Sequence, residues 1–69
     1  MSARIMDAII YCSIPQPVTG NQFLKYRNIS DTDAAKGRFL KFAAKFAGAE
    51  YVNFYDKHTR AFIERIYLQ

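Results

Sequence analysis

Alternation governs the start of the chain. Between Arg4 and Ile14, the residues Met6, Ala8, Ile10, Cys12 and Ile14 fall on one side of an extended backbone. Ile5, Asp7, Ile9, Tyr11 and Ser13 fall on the other. Apolar residues on both sides predict a strand covered on two faces, or nearly so. Pro15 ends it, and Pro15-Gln16-Pro17 with Gly20-Asn21 predicts a loop. A shorter alternation over Gln22–Asn28 sets Phe23, Lys25 and Arg27 against Leu24 and Tyr26. That segment reads as a second strand, paired with the first as a hairpin.

The period then lengthens. Ser30 is placed to cap a helix, with Asp31 and Asp33 complementing its positive end. On a helical wheel Ala35, Phe39, Phe42, Ala43, Phe46 and Ala47 share one side, with Leu40 at its margin. Arg38, Lys41 and Lys45 share the opposite side. Gly48 supplies a left-handed residue to end the helix.

Alternation returns over Glu50–Tyr55 and Arg60–Leu68, around the polar turn Asp56-Lys57-His58-Thr59. Setting Tyr55 opposite Arg60 puts Val52 across from Ile63 and Phe54 across from Ala61, a floor for the helix. Tyr51, Asn53, Tyr55, Arg60 and Phe62 then form the other face, continued by Ile66 and Leu68. The order β-β-α-β-β predicts an α+β fold, a mostly antiparallel sheet with one amphipathic helix packed on one face.

Length and composition narrow this picture. At 69 residues the chain is expected to be one small domain spanning 1–69, with a core thin enough to need support. One cysteine and one histidine make neither a disulfide nor a four-ligand zinc set, so no metal or cofactor is expected. Support must come from aromatic packing, supplied by six Phe and five Tyr, or from self-association. The start of the chain lacks the apolar run of a signal peptide, and no segment has the length of a membrane span. A cytoplasmic location follows as the expectation, with Cys12 a reduced core thiol.

The net charge of +4 is moderate, and its distribution says more. Residues 25–45 hold six of the ten Lys/Arg side chains and only two acids. The ridge Arg38, Lys41 and Lys45 is therefore the candidate for nucleic-acid phosphates, although solvated helix faces commonly look the same. No nucleophile, glycine-rich phosphate loop or metal spacing accompanies His58, whose one nearby carboxylate is Asp56 in the same turn. An enzyme is not expected.

One helix cannot cover both faces of a sheet, so the Tyr/Phe-rich face calls for company. A second copy of the chain, giving a homodimer, is the simplest occupant. Another protein, in an inhibitor or subunit role, is the alternative, and single-stranded nucleic acid stacked on the rings is the third. In composition this surface broadly resembles an RNA-recognition platform, but the glycine-aromatic motif is missing and the element order differs. No residue role is carried over. The expected function is a small non-enzymatic interaction module, a homodimer that binds nucleic acid in a regulatory or accessory role.

Overall fold

The computed structural model describes residues 3–68. Four strands and one helix follow one another as β1 (Ile5–Cys12), β2 (Phe23–Ser30), α1 (Asp33–Ala43), β3 (Ala49–Asp56) and β4 (Phe62–Tyr67). The strands form one antiparallel sheet in the order β2-β1-β3-β4, which bears out the α+β expectation. β1 is central, and β2 and β3 both run antiparallel to it. They are therefore parallel to each other, and α1 makes the crossover between them.

The strict alternation of β1 is reproduced in its burial. Met6, Ala8, Ile10 and Cys12 are buried, while Ile5, Asp7, Ile9 and Tyr11 are half-buried. Val52 and Phe54 of β3 and Ala43 of α1 complete the core. Leu24 and Tyr26 of β2, Phe39 and Leu40 of α1, and Ile66 of β4 pack around it. The largest fully buried side chains are only Phe54, Met6, Ile10 and Val52, at roughly 1.5–3 kcal/mol apiece. Such a core is thin, as expected at this length.

The helix begins later and ends earlier than its periodicity predicts. Ser30 is the last residue of β2, and Thr32 is the cap, its hydroxyl accepting from the Ala35 N–H at 3.2 Å. Ser30 is held extended because Ile5 pairs with it across the sheet. At the other end the ladder tightens after Ala43: Lys45 and Phe46 donate to Phe42 and Ala43, three residues back. Phe46 still packs on the core, but Ala47 is exposed and Phe42 is 40 % exposed. The apolar stripe thus shifts toward Lys36, Phe39, Leu40 and Ala43. Gly48 does adopt a left-handed conformation, with φ 73°.

The second hairpin departs most from expectation. Its loop has four residues, as anticipated, but they are Lys57–Arg60. The Asp56 N–H donates to Ala61 O at 2.8 Å, and the Arg60 N–H to Asp56 O at 2.9 Å. Asp56 must stand at the mouth of the loop because its carboxylate accepts from the His58 and Thr59 N–H groups. Tyr55 therefore faces Phe62 instead of Arg60. A bulge then inserts Ile63, so that Phe54 faces Glu64, Asn53 faces Arg65 and Val52 faces Ile66.

That one extra residue reverses the parity of the rest of β4. Ile66 and Leu68, expected outside, pack on the core. Arg65 and Tyr67 take the outer face in their place. Glu64 lies opposite Phe54 on the helix side, where Lys36 Nζ reaches it at 2.9 Å. The same ammonium lies 3.6 Å from Asp31. Glu64 and Asp31 together favour its charged form and raise its pKa, Glu64 having the larger influence.

Candidate functional site

The face of the sheet away from α1 is built in transverse rows. In the first, Phe23, Tyr11, Tyr51 and Tyr67 stand side by side, one from each strand. Their ring centroids are 6.0, 4.9 and 5.5 Å apart in that order, and Tyr11 and Tyr51 are stacked at 24°. The register brings them together: Tyr11 pairs with Phe23 on one side and with Tyr51 on the other, and Tyr51 pairs with Tyr67. A continuous aromatic strip crosses the whole sheet.

The second row is Lys25, Ile9, Asn53 and Arg65, with a cation at each end. Arg65 is locked in place. Its Nε donates to Asn53 Oδ1 at 2.9 Å, and its guanidinium carbon sits 4.3 Å from the centroid of Tyr51. Asn53, only 4 % exposed, donates in turn to the Tyr55 hydroxyl at 3.3 Å. A hydrogen bond involving Tyr67 and the surrounding phenols hold Arg65 above the ordinary guanidinium range. Burial pushes the Tyr11 phenol up, with a further contribution from Tyr55, so Tyr11 stays neutral.

The third row runs from the Arg27–Asn28 bulge of β2 through Asp7 to Tyr55 and Phe62. Tyr55 and Phe62 meet edge to face at 5.8 Å. Asn28 takes a positive φ of 61° in that bulge, a conformation Asn tolerates better than most residues. A cleft of ≈ 200 Å³ opens here, lined by Asp7, Ile9, Lys25, Arg27, Tyr55 and Arg60 among others.

Of the residues expected to form the partner surface, Tyr51, Asn53, Tyr55 and Phe62 do share this face. Arg60 stands in the loop at its border, and Ile66 faces the core. Tyr11, Phe23, Lys25, Arg65 and Tyr67 belong to the face and were not among the expected contacts. For Tyr11 the signal lay in the sequence, since it alternates out of phase with the buried Met6–Cys12 set. Tyr67 and Arg65 carried no local signal, because only the bulge at Ile63 turns them outward.

Arg38 and Lys41 are exposed on the side of α1 turned from the core, and Lys45 is exposed in the turn that follows it. They and the aromatic strip therefore point in opposite directions. His58 is exposed in its loop, and its backbone N–H serves the Asp56 carboxylate. Cys12 is buried, which raises its thiol pKa against an opposing hydrogen bond with Gln16. Among the described residues no cluster of His, Cys, Asp and Glu is arranged to hold a metal ion. Among the same residues no helix is long and apolar enough to cross a membrane.

Comparison with known proteins finds no family model, curated protein or solved structure that matches this chain.

Proposed function

We propose that this protein is a non-enzymatic module that binds single-stranded nucleic acid across the open face of its sheet. The observation that carries the reading is the strip Phe23–Tyr11–Tyr51–Tyr67, bordered on the same face by Lys25 and Arg65. Unstacked bases lie on aromatic rings irrespective of sequence, and nearby cations meet the backbone between them. A duplex hides the faces of its bases and gives this strip nothing to hold. Binding therefore moves from the helix ridge Arg38, Lys41 and Lys45 to the sheet, where rings and cations can touch one ligand.

Titrating labelled single- and double-stranded DNA and RNA over a range of salt tests the reading. Single strands are expected to bind more tightly than duplexes, with affinity falling steeply as salt rises. Tyr67→Ala, which removes the most exposed ring of the strip, should cost about 1–3 kcal/mol of that affinity, the usual worth of one stacked base. Arg65→Glu should flatten the salt dependence, whereas Lys41→Glu with Lys45→Glu should leave the affinity within about twofold. No binding at low salt, or equal loss in the helix variant, sinks the proposal.

A second reading rests on exposure at the rim. Phe23, Phe62 and Tyr67 are each more than half exposed, at 54, 56 and 63 %. Bare aromatic surface of this kind also suits a second copy of the chain or a protein partner. Light scattering distinguishes the self-pairing form: a dimer that Phe62→Ala and Tyr67→Ala return to monomer supports it.

A further inference from the structure

The cleft in the third row combines features that the strip alone does not explain. Asp7 Oδ1 is shut off from solvent and has no hydrogen-bond partner. Lys25, Arg27 and Arg60 line the same cleft, and none lies within ion-pairing distance of a carboxylate among the described residues. A carboxylate oxygen without a partner and three cations without a carboxylate thus border one cleft. Arg60 is also held at φ 66°, a backbone conformation that non-glycine residues adopt at a cost and that clusters at binding sites.

Size limits the ligand. At ≈ 200 Å³ the cleft is smaller than the roughly 300–1,000 Å³ of sites that enclose a whole small molecule. It suits one planar group of a longer ligand, set against Ile9 and the Tyr55 ring. Charge limits it further: an anionic group is needed for the three cations, and N–H donors for the carboxylate. A nucleotide carries both.

We infer that this cleft is a base-selective subsite that takes a guanine, with Asp7 accepting from the base edge and Lys25, Arg27 and Arg60 on the adjoining phosphates. The inference rests on the single-strand reading above and adds a preference to it. Guanine presents a ring N–H and an exocyclic amine side by side, matching the two oxygens of one carboxylate. The χ2 torsion of Asp7 is soft, so the buried oxygen and its twin exchange places at little cost. Uracil offers a single N–H between two carbonyl oxygens, and these repel a carboxylate. Cytosine and adenine offer one amine beside a ring acceptor. The discrimination comes from donor count at a site with no other partner for Asp7 Oδ1.

The test uses a fluorescein-labelled oligouridine RNA and the same RNA with one central guanosine. The wild-type protein is expected to bind the guanosine-containing strand roughly tenfold more tightly. Asp7→Asn should abolish that ratio without weakening oligouridine binding, because the strip is untouched and the repulsion between the uracil carbonyls and the carboxylate is relieved. Thermal melting establishes that the variant is folded, and Asp7→Ser replaces it if it is not. Equal wild-type affinity for the two RNAs, or a preference that survives in the variants, overturns the subsite and leaves the strip standing. Failure to bind either RNA at low salt overturns the single-strand reading and the subsite with it.

Discussion

The two hairpins close with the same loop and are held in different ways. In the first, the Gln16 N–H donates to Asn21 O at 2.9 Å and the Gly20 N–H to Gln16 O at 2.7 Å. The second repeats this with Asp56, Ala61 and Arg60. In both, the last loop residue is left-handed, at φ 73° for Gly20 and 66° for Arg60. The first loop uses the residue the geometry favours, and the second puts an arginine there. Equivalent backbone positions therefore differ in local strain, and the strained one borders the cleft.

Their anchors differ too. Gln16 is buried and its Nε2 donates to Ala47 O at 2.8 Å, while the Ser13 N–H donates to Gly48 O at 2.8 Å. The first loop is thereby stapled to the segment leaving α1. The second is tied at its base, where the Lys57 N–H reaches Ile5 O at 3.0 Å and its ammonium meets the Asn28 amide oxygen. Both loops carry tertiary contacts, but the turn of the second is itself fixed by local bonds from the His58, Thr59 and Ala61 N–H groups. Strain can be stored at a loop only when something local over-determines it, and the Asp56 carboxylate supplies that here.

Breaking the clamp should have the largest effect. A Cβ on Gly48 would lie 2.8 Å from Ser13 Oγ and 2.9 Å from Ile14 Cγ1, at a φ that side chains resist. Gly48→Ala is expected to destabilise the fold by about 2–4 kcal/mol in a denaturant titration. A loss below ~1 kcal/mol would mean the clamp is loose.

Exchanging the loop residues sharpens the comparison. Gly20 has open space around it, so Gly20→Ala tests backbone conformation alone and should cost about 1 kcal/mol. Arg60→Gly relieves a penalty of similar size against the added freedom of glycine in the unfolded chain, for a net gain of up to about 0.5 kcal/mol. The same variant removes one cation from the cleft, so more stability with weaker RNA binding is the expected pair of readings. Lower stability would show that Arg60 makes compensating contacts.

The smallest effect is a pH dependence centred on the second loop. Backbone donors at Thr59 and His58 hold the Asp56 carboxyl below its ordinary range. A depressed folded-state pKa contributes stability that is full above the unfolded value of about 3.9 and is lost as pH falls through the folded one. Thermal midpoints measured from pH 6 downward should therefore drop below about pH 4. Asp56→Asn keeps an acceptor for the turn and should shrink that drop. Asp31, lowered chiefly by its 2.7 Å hydrogen bond with Arg4, leaves a remainder. An undiminished drop in the variant would place the acid sensitivity elsewhere.

Local pattern carried much of this molecule. The alternation of β1, the two flanking strands of each hairpin, the helix between them and the left-handed Gly48 all follow from spacing and residue type. The reason is that burial on one side of a strand or helix imposes its period on the sequence directly. Helix limits were less legible, since Ser30 and Thr32 are both good caps and pairing with Ile5 decides between them.

The candidate face was a matter of tertiary structure. Tyr11 gains Phe23 and Tyr51 as neighbours only because β1 lies between β2 and β3, an order that no local period encodes. Arg65 and Tyr67 face outward, and Ile66 inward, because a single bulge at Ile63 reverses the parity of β4. A strand's own sequence specifies which residues share a side. Which side meets the helix is set by pairing with a distant partner, and one inserted residue is enough to exchange them.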